Sequence, residues 1–133
     1  AVMKESYINA DIIDSSAADV ISAGDFEKKR VCTQFPYGWE CTKGEGNLEI
    51  KAEFQNLGIL YFATTNGLGG QYDVYVDDEY AGTINADFSG GWGNAIKAKQ
   101  LYTSDSLAEH TITIKKSPDS TGDLFDLLGL LVS

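Results

Sequence analysis

The residues able to do chemistry in this chain are of two kinds: aromatic rings set among glycines, and carboxylates set close together. The only two tryptophans lie in "FPYGWE", Phe35 to Glu40, and "FSGGWGN", Phe88 to Asn94. Glycine neighbours strip away local side-chain cover and let a backbone come close to a ligand. An indole beside them is therefore either tucked under a distant part of the chain or left facing solvent. The alternating segments elsewhere already supply Val, Ile, Leu and Phe for an interior, which favours the solvent-facing arrangement for Trp39 and Trp92. Flat apolar surface left exposed on a small acidic protein implies a partner.

A sugar suits such a surface. A pyranose has apolar C–H faces and a rim of hydroxyls, so a ring platform can take the face while Asn94, Gln71, Gln100 and Lys97 take the rim. Stacking that removes ~100 Å² of apolar surface per tryptophan contributes roughly 2–3 kcal/mol. A few hydrogen bonds of about 1 kcal/mol each, set against the cost of immobilisation, leave dissociation constants on the order of 10–1,000 µM. Such weak binding is useful when the ligand is a long polymer and the domain is tethered to an enzyme. Tyr37, Tyr61 and Phe62 join the aromatic candidates from their loop and face positions, with core packing as the competing expectation for each.

The carboxylates invite a different chemistry. Asp77 with Asp78, and Asp123 with Asp126, are pairs of the kind a glycoside hydrolase needs. Adjacent strand residues point to opposite faces, however, so Asp77 and Asp78 cannot flank one bond, and a turn between two strands is the better expectation for them. A Ser-His-Asp triad would have to use the single histidine, His110, and no G-x-S-x-G elbow occurs. "DVYVDDE" offers oxygen ligands for calcium without EF-hand spacing. Two cysteines and one histidine fall short of a closed zinc set, and "GLGG" at Gly67 to Gly70 lacks the Lys and helix of a phosphate loop. The expectation is a protein without catalytic residues, metal or cofactor.

Composition narrows the partners. At 133 residues the chain is expected to form one domain around one core. A formal charge of -10 repels nucleic acid and anionic membranes. No apolar run approaches the ~20 residues of a spanning helix, and "AVMKESYINADII" lacks the features of a leader, which reads as a soluble mature domain cut from something longer. Cys32 and Cys41 are close enough in sequence for a disulfide across a short loop, with two free thiols as the alternative.

Short segments rich in β-branched and aromatic residues, alternating with period two and punctuated by glycine, give the pattern of an all-β sandwich. Strands are expected at Tyr7 to Ile13, Glu27 to Thr33, Asn47 to Phe54, Gly58 to Thr65, Gln71 to Asp78, Tyr80 to Phe88, Asn94 to Tyr102 and Glu109 to Lys116. His110 should begin the last of these. "DLFDLLGLLVS" matches helical spacing in part, but its shortness and Gly129 favour a buried strand. In "QYDVYVDD", Tyr72, Val74 and Val76 share one face, while Gln71, Asp73, Tyr75 and Asp77 share the other, which should be wet.

The run "GQYDVYVDDEYAGTINADFSGGWGNAIKAKQLYTSDSLAEHTITI" resembles the second half of β-sandwich carbohydrate-binding modules, where a "VYVDG"-like strand, a short strand and a later "HTI" strand follow in this order. "INADIIDSSAADVISAGDF" and "DLFDLLGLLVS" are compatible with the first and last strands of that fold. The chain departs from the pattern at Asp78 and Glu79, where such modules often carry glycine. The spacing of Trp39 and Trp92 is similar to that in the family 65 modules of bacterial cellulases. The resemblance implies an antiparallel jelly-roll sandwich of two sheets that binds plant cell-wall β-glucan, xyloglucan or a related hemicellulose in a cleft. Its implied setting is a secreted, monomeric, non-catalytic module on a glycoside hydrolase. It also implies Trp39 and Trp92 as platforms, with Asn94 near the second. A protein-interaction or scaffold sandwich using the same tryptophans as hot spots is the alternative, and a small hydrolase the third reading.

Overall fold

The structure, a computed structural model, describes residues 11–15, 18–24, 26–29, 38–42, 47–64, 69–87 and 95–133. Among these lie nine strands: β1 Asp11–Ile13, β2 Asp19–Ser22, β3 Glu27–Lys29, β4 Gly38–Cys41, β5 Leu48–Ala63, β6 Gln71–Val76, β7 Glu79–Asn85, β8 Ala95–Lys116 and β9 Phe125–Val132. β8 has 22 residues. Laid straight at about 3.3 Å per residue it would reach ~70 Å, roughly twice the width of a domain this size. It has to bend, as does β5. The ladder between them shifts register between Phe54 and Asn56 and again between Leu57 and Gly58, and bulges of this kind let a strand turn a corner.

The bend makes two layers out of one hydrogen-bonded sheet of order β3-β4-β9-β5-β8-β6-β7, with β1 on β9 and β2 on β5. The first half of β5 pairs with β2 and with the second half of β8, which pairs in turn with β6. The second half of β5 pairs with β9 and with the first half of β8. β9 is flanked on its other side by β4 and β1. Tyr72 of β6 stacks on Phe125 of β9 with ring centroids 4.7 Å apart, so the two layers face each other. This is the all-β antiparallel sandwich expected from the sequence, its layers joined through β5 and β8.

Alternation places the core. Tyr72, Val74 and Val76 are buried, as expected, while Gln71 and Tyr75 are half-buried on the other face. Asp73 departs from the expected wet face, being only 8% exposed. Every residue of β9 is buried, in keeping with a buried strand at the chain's end. Phe125, Leu127, Leu130 and Val132 enter the main core, and Leu128 and Leu131 form a second apolar cluster with Leu60.

Several boundaries differ from expectation. The strands expected at Asn47–Phe54 and Gly58–Thr65 are one strand, as are those at Asn94–Tyr102 and Glu109–Lys116, and His110 lies within β8 rather than at its start. β2 and β4 were not expected as separate strands; β4 owes its conformation to the partner strand β9, since its own sequence holds a glycine. The expected strand parts Tyr7–Ala10 and Arg30–Thr33 lie outside the described residues. The Cys41 thiol is free and fully buried, 3.4 Å from the Tyr72 hydroxyl. The other cysteine weighed for a bridge, Cys32, lies outside the described residues.

Candidate functional site

Registers place four connections at one end of the sandwich. These are the links from β4 to β5, β5 to β6, β7 to β8 and β8 to β9. Their floor is a ring cluster. Phe125 stacks on Tyr72 and, at 6.4 Å, on Tyr61, and Phe26 meets both Tyr72 and Phe125 edge-on. Rings packed in this way fill space rigidly and fix what sits above them.

Backbone contacts then tie the connections together. Thr64 bridges to Asp87 and Gly69 to Leu124. A Cβ at Gly69 would lie 2.3 Å from the Ala86 carbonyl oxygen, and one at Gly70 would lie 2.4 Å from that of Gly122. Only glycine permits approaches this close, so the two glycines let three connections meet edge to edge.

Gln71 is the polar hub of this end. Its Nε2 donates to Asn85 Oδ1 at 2.7 Å, and its Oε1 accepts from Thr121 N at 2.6 Å and from Thr121 Oγ1 at 3.1 Å. Asn85 Oδ1 also accepts from the Asp87 amide, the last described residue before the Gly-Trp stretch. Ser120 Oγ accepts from the Gln71 amide and donates to the Gly122 carbonyl. The Lys116 ammonium meets Asp123 at 2.7 Å, and the Tyr72 hydroxyl donates to the Asp123 carbonyl. The result is a fixed rim of amides, hydroxyls and charges from which the chain departs at Asp87 and to which it returns at Ala95.

The predicted site residues are distributed unevenly about this frame. Gln71 lies in it, but its amide is spent on internal bonds rather than offered to solvent. Trp39 requires a correction: the indole is 1% exposed, so it cannot act as an open platform. It pairs with Leu127 across the β4–β9 ladder and points with it into the core, so β9 supplies the cover that its glycine neighbour lacks. Tyr61, 7% exposed, is likewise a core ring, and burial raises its pKa. Phe62 is half-buried against the second apolar cluster, on the outward face of its layer. Gln100, which registers with Gly58, falls on the same face as Leu60 and Phe62. Trp92, Tyr37 and Asn94 lie outside the described residues.

Asn85, Ser120 and Thr121 were not singled out from the sequence. The only signal was their place in turn-rich segments, and their meeting depends on contacts such as Thr121 with Gln71, 50 residues apart.

The other carboxylates and the histidine singled out from the sequence have the following places among the described residues. Asp77 and Asp78 form the expected turn, with φ of 52° and 68°, as a two-residue hairpin of type I′ requires. The His110 Nδ1–H···Oδ2 bond draws the Asp77 carboxyl below its ordinary range, and the bond from the Thr111 amide adds to this. His110 Nε2 is enclosed beside Phe54 and Tyr102 and has no partner among the described residues. Asp123 is held by Lys116, and Asp126 is buried. No three His, Cys, Asp or Glu among the described residues come together to hold a metal.

No protein-family model and no curated protein sequence matches the chain. Solved structures do share its fold. A two-domain esterase active on acetylated mannans superposes with a TM-score of 0.77 at 16% identity, over 96% of this chain and 36% of that one. An exo-β-1,3-galactanase from Phanerochaete chrysosporium gives 0.64 at 14% identity, over 94% of this chain and 29% of that one. The chain thus spans about a third of each enzyme. The CBM36-1 domain of a multidomain xylanase from the hindgut metagenome of Trinervitermes trinervoides gives 0.58 at 13% identity, over 94% of this chain and 97% of that domain.

Proposed function

We propose that this chain is a non-catalytic carbohydrate-binding module whose ligand is a neutral plant cell-wall polysaccharide, a β-glucan, xyloglucan or related hemicellulose. One observation carries this reading. The connection bearing Trp92 and Asn94 leaves and rejoins the sandwich at a rim of amides and hydroxyls held rigid over a ring floor. A pre-formed rim loses little entropy on binding, which matters where the expected affinity is weak. The fold likeness supports the reading, because a xylanase's CBM36-1 domain is matched over nearly its whole length.

In this proposal Trp92 is the ring platform, Asn94 a rim donor, and Gln71 a positioning residue that fixes Asn85 and Thr121. The module is secreted, monomeric and tethered to a glycoside hydrolase, which it holds near its polymer. The resemblance to family 65 modules belongs to this proposal.

Tryptophan fluorescence tests it cleanly, because Trp39 is sealed in the core. Titration with soluble β-glucan, xyloglucan and glucomannan should shift the emission in the native chain and in Trp39→Phe, but not in Trp92→Phe. Silence with every polysaccharide, or a signal that survives loss of Trp92, overturns the proposal.

A further inference from the structure

The largest exposed ring among the described residues lies elsewhere, on the solvent face of the layer that contains β6 and β7. Tyr80 is 61% exposed, and its ring meets that of Tyr75 edge-on with centroids 5.8 Å apart. Lys115 places its ammonium 4.6 Å from the centre of the Tyr75 ring. Beside them the Tyr80 hydroxyl lies 2.6 Å from Thr83 Oγ1, which donates to Asp73 Oδ1 at 2.7 Å.

The proton count in this chain of groups is fixed. Thr83 has one hydroxyl proton and gives it to Asp73, so Tyr80 must donate its own to Thr83. The Tyr80 oxygen is left with lone pairs only. Asp73 is only 8% exposed, and its Oδ1 is the atom that accepts from Thr83. The corner thus offers a ring face, a phenol oxygen, a carboxylate and an ammonium group, held by internal contacts before any ligand arrives.

We infer that this corner is a second carbohydrate contact, with Tyr80 as its platform and Asp73, Tyr80 Oη and Lys115 as its rim. The inference rests on the carbohydrate reading above and extends it. A ligand that both donates and accepts around an apolar face fits the corner. A polyanion would meet Asp73 and the formal charge of -10, and a purely apolar partner would leave Lys115 and Asp73 unmatched. The corner is distinct from the loop end. Tyr75 lies four residues along β6 from Gln71, ~13 Å at strand rise, on the face turned away from the core. Two contacts on one module let a long chain engage both, and the second contact then forms at high effective concentration.

The experiment compares soluble glucomannan polymer with a short oligosaccharide of the same sugar, using native chain, Tyr80→Ala, Asp73→Asn and Trp92→Ala, with backbone amide resonances as the readout. Tyr80→Ala should weaken polymer binding by ~5–50-fold while leaving oligosaccharide binding at the Trp92 end within about twofold. Asp73→Asn, which keeps the ring, should weaken polymer binding to a lesser degree. Amides of Asp73, Tyr75, Tyr80 and Lys115 should shift with polymer in the native chain and still do so in Trp92→Ala. Unchanged polymer affinity in Tyr80→Ala, with those amides unmoved while Trp92→Ala abolishes binding, overturns the second contact and leaves the first reading standing. Absence of binding to either ligand by the native chain overturns both.

Discussion

Oδ2 of Asp77 lies 2.5 Å from Nδ1 of His110, tying the β6–β7 turn to the middle of β8. The same carboxylate accepts from the Thr111 amide at 2.9 Å, and the Asp77 amide donates back to the Thr111 carbonyl. These bonds favour the ionised form, so the folded pKa lies below the ordinary 3.8. A depressed carboxyl pKa stabilises the fold fully above the unfolded value and ceases to do so as pH falls through the folded one. The stability difference between native chain and Asp77→Asn should therefore be constant above about pH 5 and shrink below about pH 4. Urea unfolding at pH 7, 5, 4 and 3 measures it, and a difference independent of pH would refute the assignment.

Asp78 makes the opposite prediction. Its φ of 68° is a conformation that costs most side chains energy and that glycine adopts without strain, and no hydrogen bond to its carboxylate from the described residues repays this. Asp78→Gly should raise stability by about 0.5–1 kcal/mol, or roughly 2–5 °C in Tm. A lower Tm by calorimetry would show that the carboxylate has a role the geometry does not reveal.

Much of the sandwich was legible in the sequence because β-alternation is local. Tyr72, Val74 and Val76 alternate with polar neighbours, and that pattern alone placed them inside. The pattern failed where distant partners decided. Trp39 sits beside a glycine and reads as uncovered, yet Leu127, 88 positions away in the sequence, brings a strand alongside and seals it. Asp73 reads as wet, yet it is buried and bonded to Thr83 from the next strand. Two expected strands merged into β5 because a bulge changes direction without breaking the ladder, so Gly58, which reads as punctuation between two strands, lies inside one. Gln71 was singled out as a ligand-facing amide. Its type was suggestive, but its partners Asn85 and Thr121 come from connections whose meeting no local pattern encodes.

The burial of Trp39 separates stability from binding. Trp39→Ala should lower stability by ~3–5 kcal/mol through the cavity left in the main core. At temperatures where the variant is still folded, its affinity for polysaccharide should match that of the native chain. Chemical unfolding and affinity electrophoresis on one preparation measure both quantities. Reduced affinity in a fully folded variant would return Trp39 to the binding surface.

Gln71 couples the rim to whatever binds there. Three hydrogen bonds converge on its amide, from Thr121 N and Oγ1 and to Asn85 Oδ1. Each contributes about 0.5–1.5 kcal/mol net, less where water can replace the partner at this partly exposed position, so Gln71→Ala should cost ~1–2 kcal/mol. The larger effect should be local. Without the amide, Thr121 and the Asp87 end of the Trp92-bearing connection lose their common anchor, and ordering them falls to the ligand. Amide exchange at Thr121 and Asp87 should accelerate well beyond the change in global stability, and polysaccharide affinity should fall by ~3–10-fold with the Trp92 fluorescence response retained. If exchange there rises only as much as in the core strands, Gln71 supports the fold as a whole and does not position the rim.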